Sequence, residues 1–504
     1  TLKVVSVDYY NAIRNMFHRI QIMMNHLPFH TLTDTEQSIA AHNKDILKKS
    51  LCGVRLLLKS NVEVEPVPGL GAHDNPLCCG NNVEHYLDIL LYTNASRQFK
   101  LGIAQSLMKL PLHVLRCYRY GIFHITDCHV MFVVFKSLPE ESQFDWYFHL
   151  VNVNPQCALF VLNKFSKLKK AVGESLALYK MILCISKTCV VEKRKRIYKE
   201  IQKFVALHPR VHLPGFYRYE YVDLYYTNII KMNSQHAPCM VPLLVKKKSD
   251  KIYFEVLLKQ DDCISDAVVL DCMKMIQLYD SKIDSVTYDV VPMGKSGGII
   301  EVVQQSRSLY CIEKEMSIQN WILECNPDVP VNVLRGRFLE SLAVSSIAVY
   351  ILGIGDRHAN NVMLSTTGQI FNIDFGKYVL GKETGIRKLK FSNDSIKLTR
   401  GMLDVLGGSS SVYYKKFETR CSNIYKVCRE RIHSFILILH KTLCNTQLFD
   451  ANHFKNHLLK RLKPGNEDAN IHIIEKIRTH SSSTFEESVL DVLYNLKQRA
   501  CKYF

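Results

Sequence analysis

A chain of 504 residues suggests roughly two to four domains, and its 47% hydrophobic content is enough to give each a core. Charged residues make up 22%, near the globular average, which argues against global disorder. The net charge of +18, from 65 Lys and Arg against 47 Asp and Glu, favours polyanionic partners. Charge alone does not separate nucleic acid, an anionic membrane and nucleotide phosphates.

Residues 1 to about 210 read as helices. Leu87, Leu90 and Leu91 recur at i, i+3 and i+4, Ile103, Leu107 and Leu110 at i, i+4 and i+7, and Leu112 pairs with Leu115. Further helical stretches run from Phe144 to Phe165 and from Leu176 to Phe204, with breaks at Pro66 to Gly71 and at Pro139. Successive short helices without strand signals suggest a bundle or a solenoid of helix pairs. The charge run Glu192 to Lys199 reads as a solvated helix face.

The pattern changes after Pro209. Strand-like runs cover Met240 to Val245, Ile252 to Leu258, Ser285 to Val291 and Gly298 to Val303, with a hairpin turn at Lys246 to Asp250. A helix from Ser265 to Tyr279 separates the two strand pairs. Helices return from Val331, interrupted by a hairpin around Val362 to Ile373. A strand-rich part followed by a helix-rich part is an α+β pattern.

The 17 cysteines are odd in number and show no framework spacing, and the vicinal pair Cys78-Cys79 has no second pair at metal-ligand distance; they read as reduced thiols of a cytosolic protein. No signal pattern is visible, and the chain begins at Thr1, which leaves its natural start open. The longest apolar runs, Val130 to Phe135 and Ile347 to Ile354, fall short of the ~20 residues of a spanning helix. A soluble protein, or one held on a membrane surface from outside, is expected.

The segment LGIGDRHANNVMLSTTGQIFNIDFG, Leu352 to Gly376, carries the chemistry. Asp356, Arg357, His358 and Asn361 form a polar cluster. A strand, a turn at Thr366-Thr367-Gly368 and a second strand then deliver Asp374, Phe375 and Gly376. Such a hairpin returns Asp374 to the neighbourhood of Asn361, where a carboxylate and an amide oxygen can share a hard cation; Mg²⁺ takes only one or two ligands from protein. Either Asp356 or His358 then stands where it can take a proton from an attacking hydroxyl. Protein kinases use this layout for phosphoryl transfer. Either tripeptide alone is weak, and the alternative makes Asp356-Arg357 a local ion pair and Asp374 a turn residue. Both motifs in this order, joined by one hairpin, favour the site. Gly294-Lys295-Ser296 is no phosphate-binding Walker loop, because Asp289 stands where that motif needs Gly and no helix follows.

GDRHxxNxM followed by TGQxFxIDFG resembles the catalytic and metal-binding loops of the phosphatidylinositol 3- and 4-kinases and their protein-kinase relatives. The resemblance covers about 210 to 504; the first part resembles that family's accessory helical domain only loosely. It implies a two-lobed, protein-kinase-like catalytic domain preceded by an all-α, solenoid-like domain: residues 1–209 accessory, 210–303 the N-lobe, 304–504 the C-lobe. It also implies ATP with Mg²⁺ or Mn²⁺. Within the resemblance, Lys259 and Asp266 match a lysine and an acidic segment of the upper lobe, Tyr288 an aromatic of the nucleotide pocket, and Glu301 to Val303 the hinge. Ser234 lies in a phosphate-binding loop, and Met363 and Ile373 complete the ATP-binding set. Asn361 and Asp374 hold the metal; Asp356, His358 and Arg357 form the catalytic set, with Arg357 read as a structural partner. Lys377, Lys382, Arg387, Lys388 and Lys390 fall in the substrate loop. The sequence departs from the family in the acidic segment, where Cys263, Ile264 and Ser265 stand for Leu, Arg and Gln, and in a longer phosphate loop.

Among relatives, Gln369 to Ile373 and Ser317 to Asn320 resemble the 3-kinases, whereas Lys397 to Gly408 has 4-kinase features. Trp146 and Trp321 are the only tryptophans, so the final residues lack the tail tryptophan of the large protein-kinase relatives. The expected function is phosphorylation of an inositol-ring hydroxyl, the 3-hydroxyl first and the 4-hydroxyl second. A degenerate nucleic-acid-binding or scaffold protein is the remaining alternative, and no nucleic-acid motif supports it. The expected partner is a phosphoinositide at a membrane surface, reached from the cytoplasm, with room for a regulatory subunit and no nucleic acid. In Phe485 to Phe504, Phe485, Val489, Leu493, Leu496 and Ala500 form an apolar stripe ending at Lys497, Arg499 and Lys502. It reads either as a membrane-surface helix or as a helix packed on the lobe.

Overall fold

The computed structural model describes residues 15–16, 18–23, 31–48, 50–62, 79–232, 237–280, 283–295, 297–355, 357–375, 396, 398–445, 451–462 and 469–478. Its packing forms two compact units interleaved in sequence. One holds residues 1–139, 153–165 and 433–442, the other 140–152, 166–432 and 443–504.

Among the described residues the first unit contains helices only. Thr33 starts the helix Asp34–His42 with a reciprocal cap: Glu36 N donates to Thr33 Oγ1, and Thr33 N donates to Glu36 Oε2 at 2.8 Å. Asp127 caps Cys128–Lys136 by accepting the amides of His129 and Val130. The predicted periodicity holds in Cys79–Tyr92, where Leu87 and Leu90 are buried. The segment 433–442 fills the unit from the far end of the sequence. Ser434 hydrogen-bonds to both Glu84 and Tyr118, and His124 Nε2 lies 2.8 Å from Thr442 Oγ1.

The helical stretch expected from Phe144 to Phe165 is divided at Asn154. Its side chain accepts the amide of Cys157 and so starts a new helix, Pro155–Lys164, with Pro at the first position.

The second unit joins antiparallel sheets to helices. A six-stranded sheet uses β1 (Glu220–Leu224), β2 (Ile230–Lys231), β3 (Cys239–Lys247), β4 (Asp250–Lys259), β5 (Val290–Pro292) and β6 (Gly298–Glu301). Its order is β1-β3-β4-β6-β5, with β2 paired to the start of β3. Helices α1 (Ser166–Lys187) and α2 (Val191–Leu207) lead directly into it. The predicted helix is α3 (Ile264–Tyr279), buried along most of its length. A three-stranded sheet, β7 (Ser306–Ser308), β8 (Val362–Ser365) and β9 (Ile370–Asn372), contains the predicted hairpin. Gly368 turns it at φ +88°, a conformation that suits glycine. α4 (Val331–Leu352) packs on β9, and α5 (Val412–Glu430) packs on α4.

The strand expected from Ser285 is shorter, because only Val290–Pro292 pairs with β6. Helices return before Val331, at Leu309–Glu313 and Ile318–Cys325, where Ser308 and Ser317 supply side-chain caps. Among the described residues no helix is long and apolar enough to cross a membrane.

Candidate functional site

The site lies where the two sheets of the second unit meet α3. Lys259 ends β4, paired with Gly298 of β6. Its Nζ is 2.9 Å from Asp374 Oδ1 and 3.7 Å from Asp266 Oδ2. Asp266 sits in the first turn of α3, and its Oδ1 accepts the amide of Phe375 at 2.8 Å. One buried carboxylate therefore touches both the lysine of one sheet and the chain leaving the other.

The charges follow from this geometry. Burial disfavours the Lys259 ammonium, but Asp266 and Asp374 outweigh it and raise its pKa, so the lysine stays charged. Burial raises the Asp266 carboxyl above the usual range, against the pull of Lys259 and the Phe375 amide.

The hairpin base fixes the other members. A 3-10 turn, Ala359–Asn361, leads into β8, and Asn361 N donates to His358 O at 2.8 Å. Ile373 N donates back to Asn361 O at 3.0 Å, so Asp374 follows directly on a residue bonded to Asn361. Asn361 is buried, whereas half of the Asp374 side chain is exposed. Asp374 takes φ +59°, unusual for a non-glycine residue.

Arg357 holds this backbone in place. Its guanidinium donates to Gly355 O at 2.9 Å, Ile373 O at 2.8 Å and Asp374 O at 2.5 Å, and lies 5.5 Å from the centroid of the Phe375 ring. Tyr288 is buried behind β9, where its hydroxyl donates to Asn372 O at 3.3 Å; burial pushes its pKa well up. Met363 pairs with Phe371 in the hairpin and is half-buried.

At the expected hinge the Glu301 carboxylate takes Arg218 Nη2 at 2.8 Å on both oxygens and the amide of Asp289 at 3.0 Å. Val303 O accepts from Ser306 Oγ at 2.7 Å. Arg218 also pairs with Asp289, which pairs with Lys274. Nothing in the sequence pattern around Arg218 marked it, since its partners lie about 70 to 80 residues away.

Lys259, Asp266, Arg357, Asn361, Ile373 and Asp374 are thus brought together. Asp356, Ser234, Lys377, Lys382, Arg387, Lys388, Lys390 and the stretch 485–504 lie outside the described residues. Among the described residues no group of three or more His, Cys, Asp or Glu could hold a metal ion. A kinase-type cation asks for fewer protein ligands than that, and the oxygens of Asp374 and Asn361 suit a hard cation.

The sequence model of the phosphatidylinositol 3- and 4-kinase family matches residues 313–452, the segment that contains Arg357, Asn361 and Asp374. Over these residues the chain is similar to that family. It is 25% identical to phosphatidylinositol 3-kinase 2 of Dictyostelium discoideum over 58% of this chain and 16% of that protein. It is 26% identical to the root isoform of phosphatidylinositol 3-kinase of Glycine max over 49% of this chain and 31% of that one. A phosphatidylinositol 4-kinase of Dictyostelium discoideum is also similar, at 26% over 38% of this chain and 17% of its own length. The chain spans less than a third of the length of these relatives. The matched family domain implies a kinase-like fold, and the helix-rich second unit with its antiparallel sheets agrees with it.

Proposed function

We propose that this chain is the catalytic core of a phosphatidylinositol kinase that moves the γ-phosphate of ATP to an inositol hydroxyl, the 3-hydroxyl first. One observation carries the reading: Lys259, Asp266 and Asp374 converge at the base of the hairpin that begins at Asn361. In this reading residues 210–303 are an N-lobe, 304–504 a C-lobe and 1–209 an accessory helical domain.

Asp374 and Asn361 would hold Mg²⁺ or Mn²⁺, which would supply charge neutralisation at the phosphates. Lys259, charged and paired with Asp374, contacts the α- or β-phosphate, and Ser234 lies in the loop over them. Backbone groups at Glu301 and Val303 hold adenine, with Tyr288, Met363 and Ile373 around it. Asp266 positions Lys259 and the Phe375 amide. Arg357 positions the backbone of Asp374. Either Asp356 or His358 orients the inositol hydroxyl and takes its proton.

The substrate lies in a membrane surface, so the enzyme works from the cytoplasm as a peripheral protein, with a regulatory subunit as a further partner. The loop bearing Lys377, Lys382, Arg387, Lys388 and Lys390 faces the headgroup, and phosphatidylinositol and its monophosphates are better substrates than the bisphosphate. The similarity to a phosphatidylinositol 4-kinase keeps the 4-hydroxyl as the second reading.

The test is incubation with ATP, Mg²⁺ and separate phosphoinositides, followed by chromatographic identification of the product isomer, with Asp374→Asn as control. A 3-phosphorylated product supports the proposal. A 4-phosphorylated product moves it to the second reading, and no lipid product overturns it.

A further inference from the structure

Forty-two residues of the second unit, 166–207, carry eleven Lys or Arg against three Glu. They form α1, α2 and the short turn between them. The inner face of α2 is fixed: Ile201 is buried, Tyr198 donates to Asp223 Oδ1 at 3.0 Å, and its ring stacks on Tyr226 at 4.6 Å. Arg194 folds back onto Thr188 O at 2.5 Å and so closes the turn. What remains outward is mainly basic, with Glu192 and Glu200 also exposed. Lys187, Lys193, Lys195, Arg196 and Lys199 are exposed, and none has an ion-pair partner among the described residues.

The tip of this hairpin is apolar. Val190 and Val191 are 62% and 68% exposed at the junction of turn and helix, between Lys187 and Lys193 in the chain. Cys239 Sγ at the start of β3 contacts Ser186 O at 3.5 Å, one residue before Lys187. Cys239 also pairs with Lys231 of β2 and with Leu258 of β4, the neighbour of Lys259. The tip therefore lies at the Lys259 end of the sheet. Beside it on β2 and just beyond, Ile230 and Met232 are 51% and 45% exposed.

We propose that the tip of the α1–α2 hairpin, with the β2 edge, docks on an anionic lipid bilayer. Val190 and Val191 enter the headgroup region while Lys187, Lys193, Lys195 and Arg196 meet acidic headgroups. Two exposed valines flanked in the chain by exposed cations match a surface that is apolar beneath and negative on top. Nucleic acid offers the charge but no apolar layer for the valines. Docking here turns the Lys259 end of the sheet toward the membrane, where the substrate of the proposed kinase lies; the inference rests on that reading.

The test is sedimentation of the full chain with phosphatidylcholine vesicles, with and without phosphatidylserine. Three variants are compared: Lys193→Glu/Lys195→Glu/Arg196→Glu, Val190→Ser/Val191→Ser, and Lys167→Glu/Lys169→Glu/Lys170→Glu, the last making the same charge change ~30 Å away at the other end of α1. The tip reversal is expected to lower binding to the anionic vesicles about tenfold or more, with the valine pair lowering it less and the distal reversal least. Phosphorylation of a short-chain, water-soluble phosphatidylinositol stays at the wild-type level in all three.

Equal losses from the tip and distal reversals show a net-charge effect and overturn the docking site. Wild-type binding by both tip variants overturns it too, while turnover of the soluble lipid leaves the kinase reading standing. Binding of duplex RNA in place of vesicles also overturns it. Tip-dependent binding by a chain that phosphorylates no inositol lipid supports the docking and overturns the kinase reading instead.

Discussion

Asp266 accepts the backbone amide of Phe375 at 2.8 Å, across 109 residues of sequence. The bond ties the start of α3 to the residue after the proposed metal ligand, so a change at Asp266 reaches Asp374 without touching it. Asp266→Ala leaves the Phe375 amide buried without its acceptor, at a cost of about 1–3 kcal/mol. Asp266→Asn keeps an acceptor and costs less stability, but removes the charge facing Lys259. Both variants are expected to lower turnover by at least tenfold. Urea midpoints and ADP release measure the two effects, and wild-type turnover in both variants would falsify the positioning role.

Lys259 and Asp374 test the phosphate and metal assignments directly. Asp374 takes φ +59°, which Asn tolerates well, so Asp374→Asn removes the charge with little backbone strain. The expected loss in kcat is about 10²-fold or more, because a charge-stabilising group of the transferring phosphoryl is gone. The apparent Mg²⁺ requirement should rise in the same variant. Lys259→Met should weaken ATP use by a similar factor while leaving the Mg²⁺ requirement closer to wild type. If both variants shift the Mg²⁺ dependence equally, the two roles are not separate.

Arg357 donates to three backbone carbonyls, of Gly355, Ile373 and Asp374. Lysine has the charge but not the planar fork that spans them. Arg357→Lys is therefore expected to lower kcat about tenfold by loosening the turn at Asp374, with the KM for ATP nearly unchanged. A large rise in KM with kcat intact would instead place Arg357 on the nucleotide. His358→Ala checks its neighbour: lipid phosphorylation falls while ATP binding, followed with a fluorescent analogue, persists.

The hairpin at 362–373 was legible because the turn Thr366-Thr367-Gly368 and two short apolar runs are local signals, and β8 and β9 follow them closely. β3 and β4 were legible for the same reason. β1, β2 and β7 were not, since each is five residues or fewer and is defined by pairing with a distant partner. Of the site, Lys259, Asp266 and Asp374 stood out through motif resemblance; their convergence is a tertiary fact with no local signature. Glu301 shows the limit of motif reading. It matches the hinge backbone, yet its side chain carries a separate ion-pair network with Arg218 that no spacing announces. The helices before Val331 carry little local signal, because their caps, Ser308 and Ser317, are single serines in polar surroundings.

His85 predicts how the first unit responds to acid. Burial lowers its pKa from 6.5 to about 3, and Arg55 and His433 push the same way. The imidazole is therefore neutral in the folded chain wherever the unfolded chain begins to bind a proton. Its contribution to stability is fully present above pH 6.5 and is lost as the pH falls from there toward 3. Each unit of that window costs about 1.4 kcal/mol, so the total reaches several kcal/mol if no other group intervenes. The surroundings make rescue by a counter-charge difficult. Asp88, the buried carboxylate three residues on in the same helix Cys79–Tyr92, is already engaged by Arg55 at 3.1 Å and Lys59 at 3.2 Å. Replacing His85 by Gln removes the titrating group while keeping a polar side chain of similar length. The wild-type chain is expected to lose thermal stability steeply between pH 6.5 and 4, and His85→Gln to lose it more gradually over the same range. Thermal melts followed by circular dichroism at half-unit pH intervals make the comparison. Parallel curves for the two proteins would show that His85 does not govern the acid response and that the carboxylates of the unit do.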